Sequence, residues 1–270
     1  MIESPRPRLV STDLDGTTVR ADGTLSERTV AAFALVESVG SQLVLVTGRP
    51  PRWMAGVARA TGHRGLAICA NGALVYDLHT ERVVESHLLE VAALRQVVNR
   101  LRAGFPELVF AAEYEDGLAY ERAFHIPAWV ADLSGGRVVD GVDLVGRPCS
   151  KLLAFHYALD SDTLLGQVAK VVGDHATVTY SGGSGLVEIS ASGVSKASTL
   201  ARLCERQGIA AAEVVAFGDM PNDLPMLEWA GVAYAVANAH PDVLAAVDHH
   251  TASNEDDGVA RVLEPLFRRD

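Results

Sequence analysis

Positive charge is scarce in this chain. Lysine and arginine number 23 against 34 aspartates and glutamates, a formal net charge of −11. A nucleic-acid binder needs a basic stripe, so that partner class is set aside. Cysteine is scarcer still. Cys69, Cys149 and Cys204 are scattered, odd in number and form no CxxC pair. This argues against a disulfide scaffold and for buried, reduced thiols in a reducing compartment. No apolar run approaches the ~20 residues of a membrane span. Residues 1–8 carry two prolines and two arginines, and no secretory-type apolar stretch follows. The expected location is therefore cytoplasmic. There is no internal repeat and no low-complexity segment.

Apolar material is ample at 49%, with a mean hydropathy of +0.16. The 270 residues fit one large domain or two modest ones. Residues 9–12, 42–46 and 66–70 read as near-continuous apolar strands. Helices are predicted at 26–39, with Ser26 as N-cap, Glu27 in the first turn and Gly40 as the stop, and at 52–60, closed by Gly62. Strands of this kind alternating with helices indicate a parallel sheet. The same grammar returns near the end of the chain. Helices are predicted at 195–207, 221–230, 241–247 and 258–267, and strands at 214–218 and 232–235.

Between these stretches the pattern changes. Residues 73–76 and 82–86 read as a hairpin, 91–103 and 162–172 as helices, and 151–157 and 177–180 as strands. Segment 114–148 is Gly-rich and weakly periodic. The fold class expected is α/β: a Rossmann-like parallel core, residues 1–84 plus 189–270, with an inserted α/β domain at 85–188.

The chemistry gathers at predicted strand ends. Asp13-Leu14-Asp15-Gly16-Thr17 follows the first strand. Residues two apart on a strand share a face, so Asp13 and Asp15 are expected to aim two carboxylates into one site. Such neighbours repel unless a cation relieves them. An EF-hand reading fails, because Thr18 and Thr24 stand where that loop needs Gly and Glu. Thr47-Gly48-Arg49 follows the second strand, where a hydroxyl and a glycine N–H suit a phosphate oxygen. Lys196 opens a helix after Gly193-Val194-Ser195, and helix N-termini favour anions. Gly218-Asp219 closes another strand, with Asn222 and Asp223 one turn on. Ligands of open parallel sheets collect at these carboxyl ends. Arg49 is read as either an ion-pair partner or a substrate contact, and Asn71 as either a turn residue or a neighbour of the substrate. Histidines, including His249-His250, show no metal spacing. Trp53, Trp129 and Trp229 are read as packing residues. Tyr114, Arg122, His125 and Tyr180 are candidates to line a substrate entrance.

These four motifs, in this order, resemble the haloacid dehalogenase-like hydrolase superfamily. Within it the chain is similar to the Cof-type phosphatases, whose large α/β cap lies between the second and third motifs. Here about 150 residues separate Arg49 from Lys196. Asn71-Gly72, Asn238-Ala239 and Asp257-Gly258-Val259-Ala260 add to the likeness. Thr18 departs from it, standing where the family usually has leucine, and is expected to affect packing and not chemistry. Ala237 departs from it too, where glycine is common.

The resemblance implies a Mg²⁺-dependent phosphatase of small phosphorylated metabolites, such as sugar phosphates. Asp13 would attack phosphorus and carry an aspartyl-phosphate. Asp15 would act as acid and base. Thr47, Gly48, Lys196 and Asn222 would bind the phosphoryl group. Mg²⁺ would be held by the Asp13 carboxylate, the Asp15 backbone carbonyl and Asp219, with Asp223 close by. The cap would select the leaving group. Two other readings use the same core. A phosphotransferase or mutase would exclude water, but such enzymes usually carry a small cap just after the first motif, where this chain has one predicted helix. A non-catalytic phosphometabolite-binding protein would have lost one of the key carboxylates or the lysine, and none is lost. The oligomeric state is not encoded in any pattern found.

Overall fold

A computed structural model describes residues 6–124, 136–182 and 185–268. The chain divides into two compact units, Met1–Glu85 with Lys196–Asp270, and Ser86–Ser195. In chain order the first unit begins with β1 (Leu9–Thr12), α1 (Glu27–Ser38), β2 (Gln42–Val46), α2 (Met54–Thr61), β3 (Leu66–Cys69), β4 (Leu74–Asp77) and β5 (Arg82–Ser86). The second unit contributes α3 (Val91–Gly104), β6 (Val109–Tyr114), β7 (Gly117–Glu121), β8 (Arg137–Val139), α4 (Gly141–Leu144), β9 (Lys151–Phe155), α5 (Ser161–Val172), β10 (Ala176–Thr179) and β11 (Leu186–Ala191). The chain then returns with α6 (Lys196–Arg206), β12 (Val214–Gly218), α7 (Leu224–Trp229), β13 (Val232–Val236), α8 (Pro241–Ala246), β14 (His249–Thr251) and α9 (Gly258–Phe267).

The first sheet runs β14-β13-β12-β1-β2-β3-β4-β5. It is parallel from β14 to β3, and β4 then turns antiparallel. Its central strands, Leu-Val-Ser-Thr in β1, Gln-Leu-Val-Leu-Val in β2 and Val-Val-Ala-Phe-Gly in β12, are buried but for Gln42, as a sheet covered on both faces requires. Val44, Val46, Ile68, Val214 and Ala216 pack with Leu200, Leu203 and Met226 in one core. Local signals agree with this packing. The Ser26 side chain accepts the Thr29 N–H at 3.0 Å as the N-cap of α1. Gly62, at φ 69°, ends α2 in the left-handed region. The chain leaves β1 toward β2 and β3 on one side and later returns through β12 to β14 on the other. The crevice beyond β1 and β12 is therefore a topological switch point, where such sheets bind ligands.

The second unit has a sheet of order β10-β11-β9-β6-β7-β8, antiparallel except between β7 and β8. Leu94, Val97 and Leu101 of α3 and Leu164 and Val168 of α5 pack on Phe110, Leu152, Val187 and Ile189. A separate cluster of Ala111, Leu118, Phe124, Leu153 and Leu186 forms on this sheet. Among the described residues no helix is long and apolar enough to cross a membrane.

Several expectations need correction. The first strand stops at Thr12, so Asp13 and Asp15 lie in the loop beyond it and not on strand faces. The expected border at 188/189 cuts through β11, which runs to Ala191 and pairs with β9 and β10. Glu188 interrupts the apolar run of this strand and hides it from a hydropathy reading. Its carboxylate is buried against the Lys151 ammonium. The contact-based units accordingly change at Ser195/Lys196. Strand β14 has no counterpart among the expected strands, because His249-His250-Thr251 is a polar edge. The His249 ring packs 5.3 Å from Tyr234, and His250 Nε2 lies 2.9 Å from the Val247 carbonyl, so the pair is structural. The helices expected at 52–60 and 221–230 begin as 3₁₀ turns at Pro51–Trp53 and Pro221–Asp223. All three cysteines are free and buried, as read. Trp229 packs on the core as expected, whereas Trp129 and His125 lie outside the described residues.

Gly258 opens α9 where a Cβ would fall 1.9 Å from the Ala252 carbonyl oxygen. Backbone cannot move aside as a side chain does. Gly258→Ala is expected to destabilise the protein by about 2 kcal/mol, the usual range for overpacking. Urea denaturation of the two proteins measures this; equal midpoints would show that the loop before α9 yields freely.

Candidate active site

The loop after β1 is built around one carbonyl. The N–H groups of Thr17, Thr18 and Val19 all point to the Leu14 oxygen, at 3.3, 2.9 and 2.7 Å. Gly16, at φ 80°, lets the chain turn this tightly. A Cβ on Gly16 would lie 2.2 Å from Asp219 Oδ2, so the position also needs the missing side chain. The Asp13 N–H still bonds the Phe217 carbonyl of β12 at 3.0 Å. The sheet thus places Asp13 even though the strand has ended.

Asp13 is buried beside Asp219 and Asp223, and carboxylate oxygens of the three lie within 4.8 Å of one another. Lys196, at the first turn of α6, donates to Asp13 Oδ1 at 2.6 Å and to Asp223 Oδ1 at 2.7 Å. Thr17 Oγ1 donates to Asp219 Oδ1 at 2.7 Å. The other oxygen of Asp223 accepts the N–H groups of Asp219 and Met220 at 3.2 and 3.1 Å. That contact ties the Asp219 loop to its own 3₁₀ turn.

The electrostatics of this cluster are unbalanced. Burial holds the Asp13 carboxyl well above its ordinary range; Lys196 opposes that, while Asp223 and Asp219 add to it. Burial pushes Asp219 up to about 7, with Asp223 reinforcing the shift. Burial works against the Lys196 charge as well, but Asp13 and Asp223 outweigh it and hold the ammonium above its usual pKa. With all three carboxylates ionised around the one ammonium, two negative charges would stand uncompensated in a buried site. A divalent cation with a preference for oxygen ligands would supply the missing charge, and the donor set fits it.

Asp15 has a different environment. Its side chain is 59% exposed, and its carboxylate is gripped by Arg49, with Nε 2.7 Å from Oδ2 and Nη2 on Oδ1. Of the two readings of Arg49, the structure displays the ion pair. The pairing with Asp15 raises the Arg49 pKa against the pull of burial. The Asp15 carboxylate is not part of the Asp13, Asp219 and Asp223 cluster.

Thr47 follows β2 fully buried, and its Oγ1 accepts the Arg49 N–H at 3.0 Å, leaving its O–H to donate elsewhere. Gly48 lies between them in the bend. The turn after β3 places Ala70 and Asn71 at φ 49° and 56°, a strained conformation for residues other than glycine. Asn71 is buried there, and its Oδ1 accepts Asn222 Nδ2 at 3.2 Å. Asn222 Oδ1 is buried with no hydrogen-bond partner among the described residues. These residues all belong to the first unit, together with Lys196, Asp219 and Asp223.

Two of the entrance candidates are buried within the second unit. The Tyr114 hydroxyl donates to the Leu144 carbonyl at 2.7 Å, and the Tyr180 hydroxyl meets Asp162. Arg122 is exposed. Sequence reading missed the supports of the first loop. Asn238 Nδ2 donates to the Gly16 carbonyl at 2.7 Å, and Asn254 Nδ2 to that of Val19 at 2.8 Å. The motif around Asn238 was visible, but its contact across more than two hundred residues carries no spacing signal.

Comparison with known proteins adds to this geometry. A model of the haloacid dehalogenase-like hydrolases matches residues 10–263. A 5-amino-6-(5-phospho-D-ribitylamino)uracil phosphatase of Bacillus subtilis is 29% identical over 269 residues, 97% of this chain and 98% of the relative. A pyridoxal phosphate phosphatase of Escherichia coli is 29% identical over 268 residues, 95% of this chain and 97% of the relative. A solved structure from Streptococcus mutans superposes with a TM-score of 0.85 at 21% identity, covering 97% of this chain and 100% of that one, which shows a shared fold.

The raised carboxyls make a prediction about pH. The folded state keeps a proton on Asp219 that the unfolded state releases between 3.8 and about 7. Native stability without a cation is therefore expected to fall as pH rises through that window. A divalent cation favours the ionised carboxylates, so its stabilising effect should grow over the same interval. Thermal unfolding with EDTA and with magnesium chloride, from acid to neutral pH, reads both trends. A cation effect independent of pH would contradict this account.

Proposed function

This chain belongs to the haloacid dehalogenase-like hydrolases, and we propose that it is a magnesium-dependent phosphatase of small phosphorylated metabolites acting through an aspartyl-phosphate on Asp13. The observation that carries this reading is the buried meeting of Asp13, Lys196, Asp219 and Asp223 at the switch point of the sheet. The B. subtilis and E. coli relatives are phosphatases of a ribitylaminouracil phosphate and of pyridoxal phosphate, which supports a small polar metabolite as the phosphate carrier.

Mg²⁺ would be held by Asp13, Asp219 and Asp223, with the Asp15 backbone carbonyl, and would supply charge neutralisation for the phosphoryl oxygens. Lys196, Thr47, Gly48 and Asn222 contribute donors to those oxygens. The Asp13 carboxylate attacks phosphorus, the ester P–O bond breaks, and the leaving alkoxide takes a proton from Asp15. Asp15 then removes a proton from water. The new hydroxide attacks phosphorus, the bond between phosphorus and the Asp13 oxygen breaks with its electron pair returning to the carboxylate, and inorganic phosphate leaves. Positioning and charge stabilisation supply most of the rate. The two carboxylates have differing environments: Asp13 is enclosed with the lysine, while Asp15 is open to solvent on an arginine fork. Arg49 serves here by aiming Asp15, and Asn71 by aiming Asn222.

The test is phosphate release from a panel of sugar phosphates, pyridoxal phosphate and nucleotides, with Mg²⁺ or with EDTA. Metal-dependent release from one class supports the reading and names the substrate family. Asp13→Asn is expected to lower turnover about a thousandfold or more with the fold intact, as loss of a nucleophile does. Unchanged turnover would end the assignment of Asp13.

A second experiment separates Asp15 and Arg49 from phosphate binding. General acid catalysis matters least when the leaving group is already stable as an anion. Arg49→Ala is expected to slow an alkyl phosphate about tenfold and to slow p-nitrophenyl phosphate much less. Equal losses on both esters would assign Arg49 to the phosphoryl group instead.

A further inference from the structure

We propose that Thr18, together with Thr12, is a positioning residue that fixes the Asp13 peptide and so aims the Asp13 carboxylate. The inference rests on the reading of Asp13 as nucleophile and adds to it residues that never touch the phosphoryl group.

The geometry is local and enclosed. Thr12 and Thr18 are buried, at 0% and 3% exposure, so water does not compete for their hydroxyls. The Thr12 hydroxyl lies 2.9 Å from the Asp13 carbonyl oxygen, and the Thr18 hydroxyl reaches the same oxygen. The two hydroxyls are 2.8 Å from each other. They hold two protons among three contacts. Either both donate to Asp13, or one donates to the other and that one to Asp13. In both arrangements the carbonyl receives a hydrogen bond from a threonine. These hydroxyls are its donors among the described residues, because β1 has ended and the sheet ladder no longer serves it.

Thr18 also donates its backbone N–H to the Leu14 carbonyl at 2.9 Å. When its hydroxyl donates to Asp13, this one residue grips two successive carbonyls, those of Asp13 and Leu14. Asp13 is then held at three points: its N–H by Phe217, its carbonyl by the threonines and its carboxylate by Lys196. Releasing the middle point lets the 13–14 peptide rotate, and the Cα–Cβ bond turns with it. An apolar side chain at position 18 can fill the same volume but cannot hold a carbonyl. The departure at Thr18, expected from sequence to concern packing, is thus a polar contact one peptide away from the proposed nucleophile.

The test compares Thr18→Val, Thr18→Ser and Thr12→Val on the full chain with Mg²⁺. Misaiming a reacting group by a fraction of an ångström to 1 Å costs about tenfold to a hundredfold in rate. Thr18→Val is expected to lose about tenfold in kcat with KM nearly unchanged, because alignment is realised in the transition state. Thr18→Ser keeps the hydroxyl and is expected to recover most of the loss. In single-turnover reactions quenched with acid, Thr18→Val should slow formation of the phosphorylated Asp13 peptide, read by mass spectrometry.

If Thr18→Val does not fold, Thr12→Val carries the comparison, with a kcat loss at unchanged KM expected again. Wild-type kcat in the folded valine variants would overturn the inference, as would equal losses in Thr18→Ser and Thr18→Val. If the wild-type enzyme itself formed no phosphorylated Asp13, the nucleophile reading would fall first and this inference with it.

Discussion

The burial of three carboxylates around a single ammonium is the constraint from which the rest of the first unit follows. Charges taken out of water are stable only when their partners are close and their remaining lone pairs are met. Asp13, Asp219, Asp223 and Lys196 come from three separate stretches of chain and are brought together in a buried cluster. Helices alone would not bring them there. A parallel sheet delivers two of these stretches to one edge, because adjacent strands β1 and β12 end side by side. The start of α6 supplies the lysine. The two strands that flank the switch point are thus the two that carry carboxylates into the cluster.

The same constraint accounts for the polar layer around the cluster. Asp223 would add a further buried negative charge, yet its second oxygen is spent on two backbone N–H groups. Asp219 is oriented by the Thr17 hydroxyl. The carbonyls of Gly16 and Val19, freed by the tight turn, are met by Asn238 and Asn254. Each of these contacts satisfies a group that the turn would otherwise leave without a partner. Together they remove freedom from the loop that presents Asp13 and Asp15. Rigidity here is a consequence of hydrogen-bond satisfaction near a charge cluster.

The alternation of apolar strands and capped helices made the parallel core readable, since β1, β2 and β12 are buried on both faces and need no polar alternation. The four site motifs were readable because three follow strand ends and the fourth, at Lys196, opens a helix, positions where chemistry is placed by topology. What escaped reading had a physical reason in each case. Strand β11 carries Glu188, whose burial depends on Lys151 from another strand. Strand β14 is an edge and tolerates histidines. The hydrogen bonds of Thr18 and Asn238 depend on tertiary proximity, and composition gives no sign of them. The carboxylates of Asp13 and Asp15 were expected on one strand face; the chain instead leaves the sheet at Thr12 and gives the two residues unlike surroundings.

That the charged cluster and the residues around it belong to one unit bears on how substrate preference changes. Asp13, Thr47, Asn71, Lys196, Asp219, Asn222 and Asp223 all lie within Met1–Glu85 and Lys196–Asp270. The inserted unit has its own core, built by α3 and α5 on the six-stranded sheet, and its own buried ion pair between Lys151 and Glu188. Substitutions there are felt first by that core. A hydrolase organised in this way can alter its inserted unit without disturbing the balance of carboxylates and ammonium in the other. Phosphatases of a ribitylaminouracil phosphate and of pyridoxal phosphate each align with nearly this whole chain at 29% identity. In the proposed reading the phosphoryl group is the constant part of the substrate, because a buried cluster of this kind poses an electrostatic problem with few solutions. The remainder of the substrate meets no such constraint, and there the sequences are free to diverge.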